Sequence, residues 1–248
     1  MLPSLLSYFS LGLLLGWVGG VFGIGGGLIA IPVLGWIFGM EQQLAQGTAL
    51  LMVAPNVILG FWRYKQRNPI DLQAALLLAG SSILSTFITA QFAAGLQAHA
   101  LRMAFACFLI GLALYLIIEL RPRRAARTPR RVLGQHWLAG LGLVSGAFSG
   151  IFTVGGGLVV APVLVKFFGI ARQTTAQGLA LATVTPSAVI ALLTYARAGQ
   201  VNWTIGLPLA AGGLFGISWG VHLAHRLPER RLRALFSLLL LLAAGMLF

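Results

Sequence analysis

Residues 16–39 read GWVGGVFGIGGGLIAIPVLGWIFG, and residues 146–169 read GAFSGIFTVGGGLVVAPVLVKFFG. Set at a spacing of 130, 12 of the 24 positions are identical. They include Phe22 with Phe152, Gly25-Gly26-Gly27 with Gly155-Gly156-Gly157, and Pro32 with Pro162. The match continues at a spacing of 131: Gln46-Gly47 meets Gln177-Gly178, Pro55 meets Pro186, and Tyr64 meets Tyr195. A duplicated apolar segment broken by glycine and proline is the pattern of transporters whose site lies where two internal repeats meet.

Composition sets the solvent. The chain is 58% hydrophobic and 8% charged, with a mean hydropathy of +0.93. A soluble domain carries about 25% charged residues, so this chain cannot cover a water-facing surface and lipid must surround it. The expected fold is all-α, a polytopic membrane protein with no room for an added soluble domain. The net charge of +13 does not indicate nucleic acid, because the basic residues lie in short loops between apolar runs, as the positive-inside bias requires. The sole cysteine, Cys107, lies in an apolar run and is expected to be a buried small hydrophobe. The run 5–22 has no Lys or Arg before it and no clear small-residue cleavage site after it. It reads as the first span rather than a removable signal.

A crossing helix needs about 20 apolar residues. Eight runs qualify: 5–22, 45–62, 74–94, 101–120, 137–152, 176–195, 205–224 and 232–248. Two more, 28–38 and 158–168, are about half as long and directly follow the glycine triplets. Each is either a short span or one arm of a re-entrant hairpin, giving 8–10 membrane helices. The stretch 121–136 carries six arginines and is expected to be cytoplasmic. Arg63, Lys65 and Arg67 lie two crossings upstream on the same side, and 95–100 between them has no Lys or Arg. In the second copy the bias reverses: the stretch matching 63–67 holds only Arg197, and that matching 95–100 holds Arg226, Arg230, Arg231 and Arg233. The organisation expected is a first repeat over 1–120, a basic cytoplasmic loop over 121–136, and an inverted second repeat over 137–248, with both termini outside.

Two readings fit the triplets Gly25, Gly26, Gly27 and Gly155, Gly156, Gly157. Glycine-rich turns opening a helix offer free N–H groups and the positive end of the dipole to an anion. Alternatively, the glycines let helices approach closely. Gln46 and Gly47, with Gln177 and Gly178, precede spans containing Pro55-Asn56 and Thr183-Val184-Thr185-Pro186-Ser187. The prolines are expected to break these helices and free carbonyls. Asn56 and Thr185 are neutral hydrogen-bonders that suit oxyanion oxygens, but Thr and Ser in membrane helices also bond their own backbone. There are only four acids. Glu119 and Glu229 abut the basic stretches, Glu41 follows a half-length run, and Asp71 suits a helix N-terminus. His222 and His225 lack a nearby carboxylate or cysteine, and His99 and His136 stand apart, so no metal site and no cofactor are expected. Neither glycine-rich segment has the Lys-Ser/Thr of a nucleotide-binding loop, and no nucleophile–His–carboxylate set is present. The chain is therefore not expected to be an enzyme.

The repeated G-x-F-x-x-G-G-G-x-x-x-x-P pattern, at 20–32 and 150–162, resembles the sulfite exporter TauE/SafE family, also called the toluene-sulfonate uptake permease family. The QG-x-A-L pattern at 46–50 and 177–181 and the basic central stretch also fit. The resemblance covers essentially the whole chain. It implies a multi-pass permease of the bacterial inner membrane moving small sulfur-containing anions such as sulfite or organosulfonates, with lipid and this anion as its partners. Gly23 of the first copy is replaced by Thr153 in the second, so the two halves of any site differ chemically. A secondary transporter is the leading expectation. A passive anion channel, or a transporter of another small organic anion, are the alternatives. The oligomeric state is unspecified by the sequence.

Overall fold

The computed structural model describes residues 2–22, 25–67, 71–120, 134, 136–153, 156–168, 173–224 and 229–248. Ten helices run in order: α1 (Leu2–Phe22), α2 (Gly27–Phe38), α3 (Gln42–Arg67), α4 (Leu72–Ala94), α5 (Ala98–Glu119), α6 (Trp137–Phe152), α7 (Gly156–Phe167), α8 (Gln173–Arg197), α9 (Trp203–Ala224) and α10 (Glu229–Gly245). The all-α polytopic architecture is as expected. Among the described residues, six helices are long and apolar enough to cross a bilayer: α1, α3, α4, α5, α8 and α9. Two of the eight expected full-length runs fall short. The α6 helix has 16 residues, and α10 has 17 with an arginine-rich first turn. At about 1.5 Å per residue they reach about 24 to 26 Å, below the ~30 Å hydrocarbon thickness.

Pro55 and Pro186 do not break their helices, contrary to expectation. The α3 and α8 helices continue through them. Within a membrane protein, neighbouring groups satisfy the backbone carbonyl that a proline frees, so the helix persists. The half-length runs do form separate helices, α2 and α7, of 12 residues each, with Pro32 and Pro162 inside. Asp71 caps α4 by accepting from the N–H of Gln73 and of Ala74, at 3.0 and 3.3 Å. Its counterpart Asn202 accepts from the Ile205 N–H at 3.2 Å, ahead of α9. The aligned pair is thus two helix caps.

The chain forms two compact units, and the division falls inside α3, between Val53 and Ala54. The first contains α1, α2, the start of α3, α5, α9 and α10. Here α1 packs lengthwise on α9. A Cβ added at Gly12, Gly16 or Gly20 would collide with the backbone of Leu209, Gly213 or Ile217. One added at Gly212, Gly216 or Gly220 would collide with that of Phe9, Leu13 or Trp17. Both helices therefore carry glycine every fourth residue, so their backbones meet directly. Phe22 stacks on Phe236 of α10 with ring centroids 5.0 Å apart.

The second unit contains the rest of α3 with α4, α6, α7 and α8. Here α6 packs on α4 in the same register. Gly142, Gly146 and Gly150 lie against the backbone of Leu78, Ser82 and Thr86. These positions precede Leu209, Gly213 and Ile217 by 131 residues. The Thr86 hydroxyl donates to the Gly146 carbonyl at 3.0 Å. Leu78, Leu141, Val160, Leu164 and Leu179 form the apolar core of this unit.

Outward faces are apolar as well. Leu84, Ile88 and Phe92 on α4, and Phe215 and Trp219 on α9, are exposed, as helices bathed in lipid require. Cys107, expected to be buried, is exposed on α5. On a lipid-facing helix the outer face is as apolar as the core, so a small hydrophobe fits there equally well.

The glycine contacts are directly testable. Gly16→Val or Gly216→Val should destabilise the detergent-solubilised protein by on the order of 3 kcal/mol or prevent its accumulation. Gly80→Ala, where a Cβ meets nothing within 4 Å, should leave the unfolding midpoint in place. An unchanged midpoint for Gly216→Val would rule out the backbone contact.

Candidate functional site

The glycine turn of the first copy is a tight left-handed bend. Gly25 has φ 69° and Gly26 has φ 85°, and Gly26 caps α2. Such angles are open to glycine at no steric cost. The Gly26 carbonyl accepts from the N–H of Ile29 and Ala30, at 3.3 and 3.0 Å. Gly25, Gly26 and Gly27 are all buried. A Cβ at Gly26 would lie 2.8 Å from Met52 Cε and 3.0 Å from the Leu15 carbonyl oxygen, and one at Gly19 would strike the backbone of Gly26. This turn sits backbone to backbone against α1.

The second copy differs. Gly155 lies outside the described residues. Gly156 begins α7, and a Cβ there would lie 2.5 Å from both Ser145 Oγ and Ser149 Oγ. At Gly157 a Cβ would lie 3.1 Å from Val184 Cγ2. Thr153, before the turn, holds φ 58°, a left-handed angle rarely adopted by a β-branched residue. Its hydroxyl donates to the Phe152 carbonyl at 2.7 Å.

The remaining expected site residues divide into packing and polar groups. Gly47 is a packing residue, because a Cβ there would strike the Gln200 carbonyl. Next to it, Thr48 Oγ1 accepts from the Asn202 N–H at 3.0 Å. Gln46 is fully buried and Asn56 nearly so. Gln177 is partly buried and Gly178 buried on α8. The Thr185 hydroxyl donates across to the Val57 carbonyl of α3, at 3.3 Å. Thr183 and Ser187 bond their own helix, to Leu179 and Thr183 carbonyls at 2.8 and 3.0 Å. Ser187 also bonds Ser82 of α4.

Sequence reasoning did not single out Ser145 and Ser149, whose buried hydroxyls face the start of α7. Their spacing of four puts both on one face of α6, and that spacing was the available signal. Separately, a cleft of about 280 Å³ is lined by Phe87, Gln91, Ala94, Thr194, Arg197 and Ala198. Its Thr194 hydroxyl donates to the Ile190 carbonyl at 2.9 Å, leaving Arg197 as the cation in its lining. Among the described residues, no three His, Cys, Asp or Glu side chains gather to hold a metal. The basic stretch 121–131, and His225 and Arg226, lie outside the described residues.

Strain at Thr153 can be measured. Thr153→Gly should raise stability by about 0.5–1 kcal/mol by removing the left-handed penalty, and the unfolding midpoint should rise by about 2–4 °C. A lowered midpoint would show that the hydroxyl contact outweighs the backbone cost.

Comparison with known proteins agrees with this architecture. The family model described as "Sulfite exporter TauE/SafE" matches residues 8–247. A "Probable membrane transporter protein" of Xylella fastidiosa is 28% identical, covering 98% of this chain and 94% of its own length. Similarly named relatives in Methanocaldococcus jannaschii and Bacillus subtilis are 25% and 22% identical, each across at least nine-tenths of both chains. No solved structure matches significantly. Near-complete coverage by the family model, together with the apolar helices that carry the doubled glycine motif, shows that this multi-pass membrane transporter belongs to the sulfite exporter TauE/SafE family.

Proposed function

We propose that the chain is a secondary transporter of small sulfur-containing oxyanions, such as sulfite or organosulfonates, working by alternating access between two inverted copies. The observation that carries this reading is the pair of 12-residue, glycine-opened helices α2 and α7. At about 18 Å each, they are too short to cross a bilayer, and in this reading their N-termini lie at membrane depth. Such an end presents N–H groups without intrahelical acceptors and the positive pole of the dipole. Discontinuous helices of this kind hold anionic groups in transporters. No Lys, Arg, Asp or Glu occurs in α1, α2, α4, α6 or α9, so dipoles and neutral donors would hold the anion. The donors proposed are Gln46 with the triplet Gly25–Gly27 in the first unit, and Asn56, Gln177 and Thr185 with the triplet Gly155–Gly157 in the second. A site built this way favours compact oxyanions over long dicarboxylates, because it selects by size and hydrogen-bond geometry.

Inverted five-helix copies require the first helix of each to run parallel to the fourth helix of the other. The contact order supports this. Gly12, Gly16 and Gly20 meet Leu209, Gly213 and Ile217 in ascending order, and Gly142, Gly146 and Gly150 meet Leu78, Ser82 and Thr86 likewise. The reversed charge bias of the loops supports it too.

Flux is the direct test. In proteoliposomes, radiolabelled sulfite uptake should saturate and should be accelerated by unlabelled sulfite on the opposite side. Proton and sodium gradients imposed in turn would identify the coupling ion. Unsaturable flux that follows membrane potential alone would replace the carrier with a channel. Topology is tested by single cysteines in a Cys107→Ala background. Reagents should label positions 127 and 225 from the cytoplasm only, and positions 98 and 200 from outside only. Labelling of 127 and 200 from the same side would end the inverted-repeat reading.

A further inference from the structure

We propose that Ser145 and Ser149 of α6, with the first turn of α7, form an oxyanion subsite present in the second copy alone. This rests on the transport reading above and names residues that bind for it. Ser145 and Ser149 lie one turn apart, at 0% and 3% exposure. Neither hydroxyl has a hydrogen-bond partner among the described residues. That sets them apart from five other helical hydroxyls. Ser81, Thr89, Thr183, Ser187 and Thr194 all donate to the carbonyl four residues back, the ordinary outcome for Ser and Thr inside a helix. A buried polar group without a partner calls for an explanation, and a bound ligand is one.

Both hydroxyls converge on the start of α7, as the shared distance to a Cβ on Gly156 shows. With only a hydrogen at Gly156, the start of α7 comes this close to both hydroxyls and to the Ser145 carbonyl oxygen. The first N–H groups of a helix have no acceptor within it, and the dipole makes that end positive. Two O–H donors beside such an end suit an anion's oxygen atoms. A sodium ion would use the same hydroxyls and the Ser145 carbonyl oxygen, but the positive end of α7 opposes it.

The first copy cannot make this subsite. At a spacing of 130, Leu15 stands where Ser145 does, and Gly19 where Ser149 does. Leu15 has no hydroxyl, and Gly19 lies directly against the backbone of Gly26. Duplication therefore preserved the glycine triplet in both copies but left the hydroxyl donors in one.

The test uses the full chain in detergent, with sulfite and methanesulfonate as probes followed by calorimetry. Ser145→Ala and Ser149→Ala should each weaken sulfite binding about tenfold, the scale of one hydrogen bond to a charged partner, and the double variant more. Their unfolding midpoints should hold or rise, since an unbonded hydroxyl is removed. A merely structural role would lower them. Ser10→Ala, whose hydroxyl bonds the Leu6 carbonyl, should bind as the unaltered protein does. In a Cys107→Ala background, methanesulfonate should protect Ser149→Cys from alkylation. Sulfite binding by the double variant within twofold of the unaltered protein overturns the subsite and leaves the transport reading standing. Loss of sodium binding with sulfite binding intact also overturns it. If the unaltered protein binds neither probe, the transport reading falls and the subsite with it.

Discussion

Direct contact between helix backbones through glycine is the constraint on which this structure depends. In lipid, no hydrophobic force draws one apolar helix to another, so association relies on close approach and the dispersion contacts it permits. Gly12, Gly16 and Gly20 against Gly212, Gly216 and Gly220 provide that approach in one unit, and Gly142, Gly146 and Gly150 provide it in the other. The second unit uses a mixed version, because α4 offers Ser82 and Thr86 rather than a glycine row. There a hydroxyl bond from Thr86 to Gly146 accompanies the packing. Both contacts pair the opening helix of one sequence copy with the fourth helix of the other. The compact units are consequently mosaics of both copies, and neither copy is a compact body by itself.

The two copies share their framework more closely than their chemistry. Asp71 and Asn202 cap equivalent helices, and the helix register repeats residue for residue. The glycine turns have diverged within this frame. The first is sealed against α1 by Gly19 and Leu15. The start of α7 faces two serines, and Thr153 ahead of it, left-handed, stands where the first copy's sequence has Gly23. An alternating-access protein built this way would pass through two states related by a symmetry that its polar groups do not obey. The two access states would then differ in affinity, while the direction of net flux would still be set by the gradients.

The sequence disclosed much of this arrangement, and what it hid has physical causes. The half-length helices were legible because glycine triplets and internal prolines bracket them. Asp71 was legible as a cap because an acid opening an apolar run has one economical role. The cross-copy pairing of fourth helices was not, since glycine spacing marks a surface for close contact without naming its partner. The α3 and α8 helices continue through Pro55 and Pro186, as membrane helices can where neighbouring groups bond the carbonyl that a proline frees. Ser145 and Ser149 stayed hidden because aligning the copies favours what they share, and these positions are Leu and Gly in the first. Cys107 was assigned to the interior by a soluble-protein habit that fails when the outside is also apolar.

The pairing of α1 with α9 also bears on biogenesis. Gly12 and Leu209 touch, yet nearly the whole chain separates them. At about 5–20 residues per second, roughly 10–40 seconds of synthesis pass between the emergence of the two. Throughout that interval the glycine stripe of α1 stands in lipid with no partner. Lipid tolerates this where water would not, since all backbone hydrogen bonds of a helix are internal. Cotranslational insertion can therefore hold α1 in waiting, and assembly becomes a late step that begins only when the second copy is in the membrane. A ribosome that stalls within the central basic stretch would leave a half-protein with its spans inserted and its helix partners missing, a substrate for membrane quality control.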